Sequence, residues 1–243
     1  MIDINCDMGE INTLLDNGTY EALMDHVTSI NIACGGHAGD EKMIRAMVKT
    51  AKEKKIKIGA HPSYPDRKNF GRYEMTISDE ELSISILEQI TRVMDIATEQ
   101  NYSISHMKPH GALYNKAAND ESLATLIGEV IISINPSLPV MCLAGSKMVS
   151  ILKDMGLNVL RESFADRTYE ADGSLRKRTL SDALIVDHQI SAIQAYNISK
   201  NNKLVAYDGT EITIQSETVC IHSDTPDALK IAIAVNNKLN RSQ

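Results

Sequence analysis

"NYSISHMKPHGALYN", residues 101–115, passes from an apolar, β-favouring run into a cluster of two histidines, a lysine and a tyrosine. His106 and His110 have the i, i+4 spacing of a helical metal pair. Pro109 disfavours helix at Lys108, so that reading fails. The stretch instead reads as a strand, a turn at Pro109–Gly111, and the start of a helix at "ALYN". In an extended chain, positions 106, 108 and 110 share one face. Either all three turn into the mouth of a barrel, or His106 is a core histidine with its hydrogen bonds met. Gly111 allows a tight turn or a close approach to a ligand.

Outward from this stretch the same strand–turn–helix order recurs. "IDINCD", "VTSINIAC", "KIKIGAH", "YSISHMK", "LPVMCLAG", "LNVLRES" and "ETVCIHSD" read as strands that end in polar or glycine-rich turns. Helical patterns lie between several of them. Asp40 is placed to cap a helix carrying Met43, Met47, Val48 and Ala51 on one stripe. Ser78 followed by Glu81 has capping-box spacing ahead of Leu82, Ile86, Ile90, Val93 and Ile96. "NDESLATLIGEVIISI", "GSKMVSILKDMG" and "DTPDALKIAIAVNNKLN" continue the alternation. Such a pattern predicts a parallel sheet with helices outside it. Seven strands are one fewer than a complete eight-stranded barrel, so an irregular barrel or a doubly wound sheet is expected. "KLVAYDGTEITIQ" alternates around Asp208-Gly209 and predicts a β-hairpin before the last strand. With no repeat, low-complexity tract or linker, residues 1–243 are expected to form one domain.

Composition narrows the function. The 43% hydrophobic and 23% charged residues are those of an ordinary globular chain, which excludes disorder. A net charge of −7 without a basic stretch disfavours nucleic acid and anionic membranes as partners. The opening "MIDINCDMGE" has neither a basic n-region nor an apolar h-region, so no secretory signal is expected there. No apolar run reaches the roughly 20 residues of a membrane span. Cys6, Cys34, Cys142 and Cys220 form no CxxC, lie in apolar runs and read as buried thiols in a cytoplasmic protein. Neither GxxxxGK[ST] nor GxGxxG occurs, which excludes the usual P-loop.

Polar residues gather where the strands end. Asp7, His37 and His61 follow the first three strands, and Lys108 with His110 follows the fourth. Glu162, Asp166 and Arg167 follow the sixth, and His222 with Asp224 the seventh. In parallel α/β folds those ends share one face, where ligands bind. Residues far apart in sequence are thereby expected around one pocket. His26 and His188 fit no strand end and are expected on a surface or helix. "NIACGGHAGDEKM" can turn backbone N–H groups toward an anion at a helix start. "GAHPSYPDRKNFGR" can supply Asp66, Arg67 and Arg72 as a pocket wall, the guanidinium groups meeting a carboxylate.

Taken together, "DINCDMGE", "NIACGGHAGD", "GAHPSYPD", "FGR", "KPHGALYN", "ESFADRTY" with "GSLRKR", and "VCIHSDTPDA" resemble the LamB/YcsF family. The likeness runs from about Asp3 to Ala228, in order. It implies an irregular seven-stranded β/α barrel similar to the glycoside hydrolase/deacetylase superfamily. It also implies ATP-dependent opening of 5-oxo-L-proline to L-glutamate together with subunits B and C. Four places depart from the family pattern: "INTLLDNG" follows Glu10, Gly36 stands where Phe is usual, Tyr73 where Arg is common, and Ser223 where Gly is usual.

On that resemblance Asp7 and His61 are expected as base and acid, with His37 and His110 beside them. Lys108 is expected to stabilise an oxyanion or a phosphoryl group, and Arg167, oriented by Asp166, to bind the substrate carboxylate. Glu10, Asp66, Arg72, Tyr114 and Glu162 complete the expected substrate-binding set. ATP is the expected co-substrate. A divalent metal, if required, is expected on Asp7, His37 and His61, a set like the Asp/His/His triad of the distant deacetylases. Two rival functions are a stand-alone metal-dependent deacetylase or amidohydrolase and a non-catalytic subunit that binds 5-oxoproline.

Overall fold

The computed structural model describes residues 2–240. Met1 and residues 241–243, the ends of the expected domain, lie outside the described residues. Each of the seven predicted runs contains a strand: β1 (Asp3–Met8), β2 (Ser29–Ala33), β3 (Lys57–His61), β4 (Ile104–Met107), β5 (Val140–Leu143) and β6 (Val159–Phe164). The predicted hairpin follows as the antiparallel pair β7 (Lys203–Val205) and β8 (Glu211–Thr213), then the last strand β9 (Thr218–His222). The barrel closes in the order β1-β2-β3-β4-β5-β6-β9, parallel throughout. This is the irregular seven-stranded β/α barrel, and it sets aside the doubly wound sheet.

Helices occupy the connections: α1 (Asn12–Asp16), α2 (Thr19–Met24), α3 (Glu41–Lys54), α4 (Asp79–Glu99), α5 (Gly111–Ala117), α6 (Glu121–Ile134), α7 (Lys147–Asp154), α8 (His188–Tyr196) and α9 (Ala228–Asn240). The Asp40 carboxylate accepts from Met43 N–H at 2.8 Å and starts α3. Ser78 and Glu81 form a reciprocal capping box on α4. The Leu82–Ile96 stripe of α4 is buried in the core, as its period predicts. The helices α1, α2 and α8 lie in segments where no helix was expected. Among the described residues no helix is long and apolar enough to cross a membrane.

Strand side chains alternate between two faces. Ile4, Cys6 and Met8 of β1 belong to the hydrophobic core. Asp3, Asn5 and Asp7 alternate with them and join a chain of polar groups. Thr218 and Ser29 hydroxyls donate to Asp3 Oδ2, each at 2.7 Å. Asn5 Nδ2 donates to Glu162 Oε1 at 2.9 Å and to Thr218 Oγ1 at 2.7 Å. Asn31 Nδ2 donates to Asn5 Oδ1 at 2.8 Å and to Asp7 Oδ1 at 2.7 Å. His106 Nε2 lies 2.7 Å from Asn31 Oδ1 and completes the chain as its donor. His106 is thus the hydrogen-bonded core histidine rather than a member of the mouth. Its ring fits because Gly59, its partner across β3 and β4, has no side chain. A Cβ on Gly59 would stand 2.2 Å from His106 Nε2.

Gly36 has a similar reason. A Cβ there would stand 2.3 Å from Gln89 Oε1, on α4. That oxygen accepts from Ser63 N–H at 3.0 Å, while Gln89 Nε2 donates to Ser63 O at 2.9 Å. Gln89 therefore clamps the loop after β3 in space that a larger residue 36 would claim. The glycine-rich loop is closed by its own bonds rather than opened to an anion. Gly35 N–H donates to Ala38 O, and Arg67 donates to the carbonyls of Gly35 and Gly39.

Candidate active site

At the C-terminal ends of the barrel strands Lys108 is the central charge. Its ammonium donates to Asp7 Oδ1 at 2.9 Å and to Cys220 Sγ at 3.2 Å, and forms an ion pair with Glu162 Oε1 at 2.8 Å. Lys108 is 2% exposed, and its Nζ lies 5.2 Å from the Phe164 ring centroid. Burial works against its charge, but Asp7 and Glu162 raise its pKa well above the ordinary lysine value. Burial pushes the Asp7 carboxyl up, yet His61 and Lys108 hold it well below the usual carboxylate range. Asp7 and Lys108 are a fixed ion pair at neutral pH. Burial raises the Tyr114 hydroxyl, and Glu162 beside it raises it further. Neither that hydroxyl nor Glu162 Oε2 makes a hydrogen bond of good geometry within the chain.

Three histidines and a glutamate stand beside this pair. His61 Nε2 lies 3.4 Å from Asp7 Oδ2 and 3.0 Å from His110 Nδ1. His37 Nε2 lies 3.0 Å from Glu10 Oε1. The His37 and His110 rings stack at 3.6 Å with planes 3° apart. Burial holds both rings well below the ordinary histidine pKa, so both are neutral near pH 7. Burial also raises Glu10, against the pull of His110 and His61. Among the described residues, Glu10, His37, His61 and His110 form a group whose ligand atoms all lie within 4.8 Å of one another. Glu10, rather than Asp7, is the carboxylate gathered with His37 and His61.

A third cluster borders the first. Asp166 accepts from His222 N–H at 2.9 Å, from His222 Nδ1 at 3.0 Å and from Thr225 Oγ1 at 2.6 Å. Arg178 donates to Asp224 Oδ2 at 2.9 Å, and Arg72 pairs with the same oxygen. The expected partnership of Asp166 with Arg167 does not form. Arg167 donates instead to the carbonyls of Ala183 and Arg176, closing the loop after β6. Asp66 is likewise a turn residue, accepting from Asn69 N–H and its side-chain amide. Arg178, half-buried, is the guanidinium that pairs with Asp224 beside this cluster, and only its place in "GSLRKR" hinted at it.

Two buried groups set an acid limit on stability. Burial lowers His106 to about 4, against about 6.5 for an unfolded histidine. Between those values the unfolded chain binds the proton that the native ring refuses, so stability falls as pH drops. Burial pushes Asp166 up, but His222 and Thr225 bring it down to about 2. Its contribution is complete above the unfolded value near 4 and disappears as pH falls toward 2. Urea unfolding is expected to lose about 3 kcal/mol between pH 7 and pH 4 from His106 alone, and more below pH 4. A midpoint that is flat from pH 7 to 4 would contradict the neutral His106.

Known proteins resemble this chain over nearly its whole length. The profile described as LamB/YcsF family matches residues 2–243. A protein from Chloroflexus aggregans, named as the A subunit of 5-oxoprolinase, is 42% identical over 238 residues, covering 98% of this chain and 94% of that one. The protein of that name from Oceanobacillus iheyensis is 40% identical, with 98% and 93% covered. The crystal structure of a lactam utilization protein from Thermus thermophilus superposes with a TM-score of 0.91 at 34% identity, covering 99% of this chain and 96% of that one. A family match over residues 2–243 and 42% identity over nearly the whole chain lead to one conclusion: the chain belongs to the LamB/YcsF family.

Proposed function

We propose that this chain is the A component of an ATP-dependent 5-oxoprolinase, acting in the cytoplasm as one barrel domain with partner subunits B and C. The observation that carries the reading is the buried Lys108 ammonium, fixed between Asp7 and Glu162 with His61 alongside. The names of the relatives supply the substrate, 5-oxo-L-proline.

A lactam resists hydrolysis because its nitrogen is a poor leaving group. ATP overcomes this by passing its γ-phosphoryl group to the lactam oxygen, leaving ADP. Water then adds to the ring carbon and loses a proton. The C–N bond breaks with its electron pair going to nitrogen, which takes up a proton. The acyl phosphate that remains is hydrolysed by a second water to glutamate and phosphate. Lys108 is the fixed charge for the developing oxygen anion or the phosphoryl group. Asp7, whose Oδ2 lies 3.4 Å from His61 Nε2, takes the proton from water, and His61 holds its place beside it. Arg178, with Arg72, faces the substrate carboxylate.

His61→Asn is expected to lower glutamate formation in the reconstituted three-subunit complex about 10²-fold while leaving 5-oxoproline binding in place. Glutamate formation by this chain alone without ATP would support the stand-alone amidohydrolase. Normal turnover of His61→Asn and Asp7→Asn would support a subunit that only binds substrate.

A further inference from the structure

We propose that Glu10, His61 and His110 are the three protein ligands of a site for a divalent transition-metal ion of the zinc class. Two backbone carbonyls fix the tautomers of the rings. His61 Nδ1 lies 2.8 Å from Lys108 O, and His110 Nε2 lies 3.0 Å from Phe70 O. A carbonyl oxygen only accepts, so each of those nitrogens carries hydrogen. The opposite nitrogens, His61 Nε2 and His110 Nδ1, are the ones left to bind an ion. They face each other at 3.0 Å. Two lone pairs at that distance repel, so a cation or a shared proton has to stand between them.

The spacing fits a metal ion. Zn–N bonds of about 2.0–2.1 Å at tetrahedral angles set ligand atoms roughly 3.3–3.5 Å apart. His61 Nε2, His110 Nδ1 and Glu10 Oε1 form a triangle with edges of 3.0, 3.4 and 3.8 Å. Imidazole with carboxylate is a donor set that zinc accepts, and three protein ligands is the number found in its catalytic sites. Carbonyls that fix the ring tautomer from behind are the usual outer support of metal-bound histidine. One of them is held under backbone strain. Phe70 adopts φ +57°, a left-handed conformation that bulky residues rarely occupy.

His37 belongs to the cluster but not to the ligand set. An ion lies in the plane of each ring that binds it, and the stacked planes of His37 and His110, 3° apart, do not meet within reach of the cluster. The His37 Nε2–H instead donates to Glu10 Oε1, which makes it a positioning residue. Its Nδ1 is buried without a partner. Asp7 is set apart by its place: its Oδ1 accepts from Lys108 and Asn31, and it groups with Cys220 and His222 rather than with Glu10 and His110. When bound, the ion supplies Lewis-acid polarisation of a carbonyl or phosphoryl oxygen.

The test reads the ion rather than turnover, so it stands apart from the 5-oxoprolinase reading. Protein stripped with a chelator is titrated with Co²⁺ as a spectroscopic probe, then with competing Zn²⁺. One equivalent is expected, with visible absorption as strong as a four-coordinate ion gives. Glu10→Gln and His110→Ala are expected to weaken Co²⁺ binding more than about 100-fold, beyond the 10–100-fold typical of an outer partner. His37→Asn is expected to stay within that smaller range. Glu10→Gln keeps the shape of the site, and circular dichroism verifies the fold of each variant. Absence of metal uptake, or wild-type affinity in Glu10→Gln, would overturn the proposal. So would a hydrogen-bonded imidazole proton seen by NMR at the 3.0 Å contact in protein that binds no ion.

Discussion

Lys108→Met is expected to cut glutamate formation by about 10²–10³-fold and to destabilise the barrel by about 3–5 kcal/mol. Methionine keeps the length of the side chain but removes the charge. Asp7 and Glu162 then remain buried without their shared cation, and an unpaired buried charge is what makes such substitutions costly. Activity and stability separate in a second variant. Lys108→Met combined with Glu162→Gln removes one of the stranded charges and should recover part of the stability but none of the turnover. Urea unfolding at pH 7 and the reconstituted assay measure the two effects. An unfolding midpoint unchanged in the single variant would mean that the three charges do not meet inside the barrel.

Gly59→Ala carries the second large effect. Its Cβ would occupy the place of the His106 ring. Overpacking of this kind costs about 1–3 kcal/mol. Displacing the ring also deprives Asn31 Oδ1 of its donor, and a buried unsatisfied group adds about 1–3 kcal/mol. The sum is expected to be about 2–6 kcal/mol in urea unfolding. The pair Gly59→Ala with His106→Ala relieves the clash and should be more stable than Gly59→Ala alone. A single variant as stable as wild type would mean that the interior between β3 and β4 has room to spare.

The barrel was legible because its signals are local. Strand runs, the Asp40 cap, the Ser78–Glu81 box and the Asp208-Gly209 turn each lie within a few residues of the structure they specify. The convergence of Asp7, His61 and Lys108 followed from a rule about strand ends. Side-chain partners did not follow, since they join distant segments. Asn5 and Glu162 meet across 157 positions, and Arg167 turned to carbonyls that no spacing marks. The polar interior had a visible sign in the alternation of Asp3, Asn5 and Asp7, which runs against the expectation of apolar barrel strands. The short helices α1 and α2 follow no clear period.

The place of β9 between β1 and β6 has a consequence for synthesis. The barrel's first strand pairs with its last, so the sheet stays an open ribbon until β9 has left the ribosome. Bonds such as Asn5 to Thr218 span 213 positions, and contacts of that range are slow to form. The nascent polypeptide therefore exposes a carboxylate-lined edge while all the intervening strands and helices are made, and the histidine and thiol contributed by β9 arrive only with that closing strand.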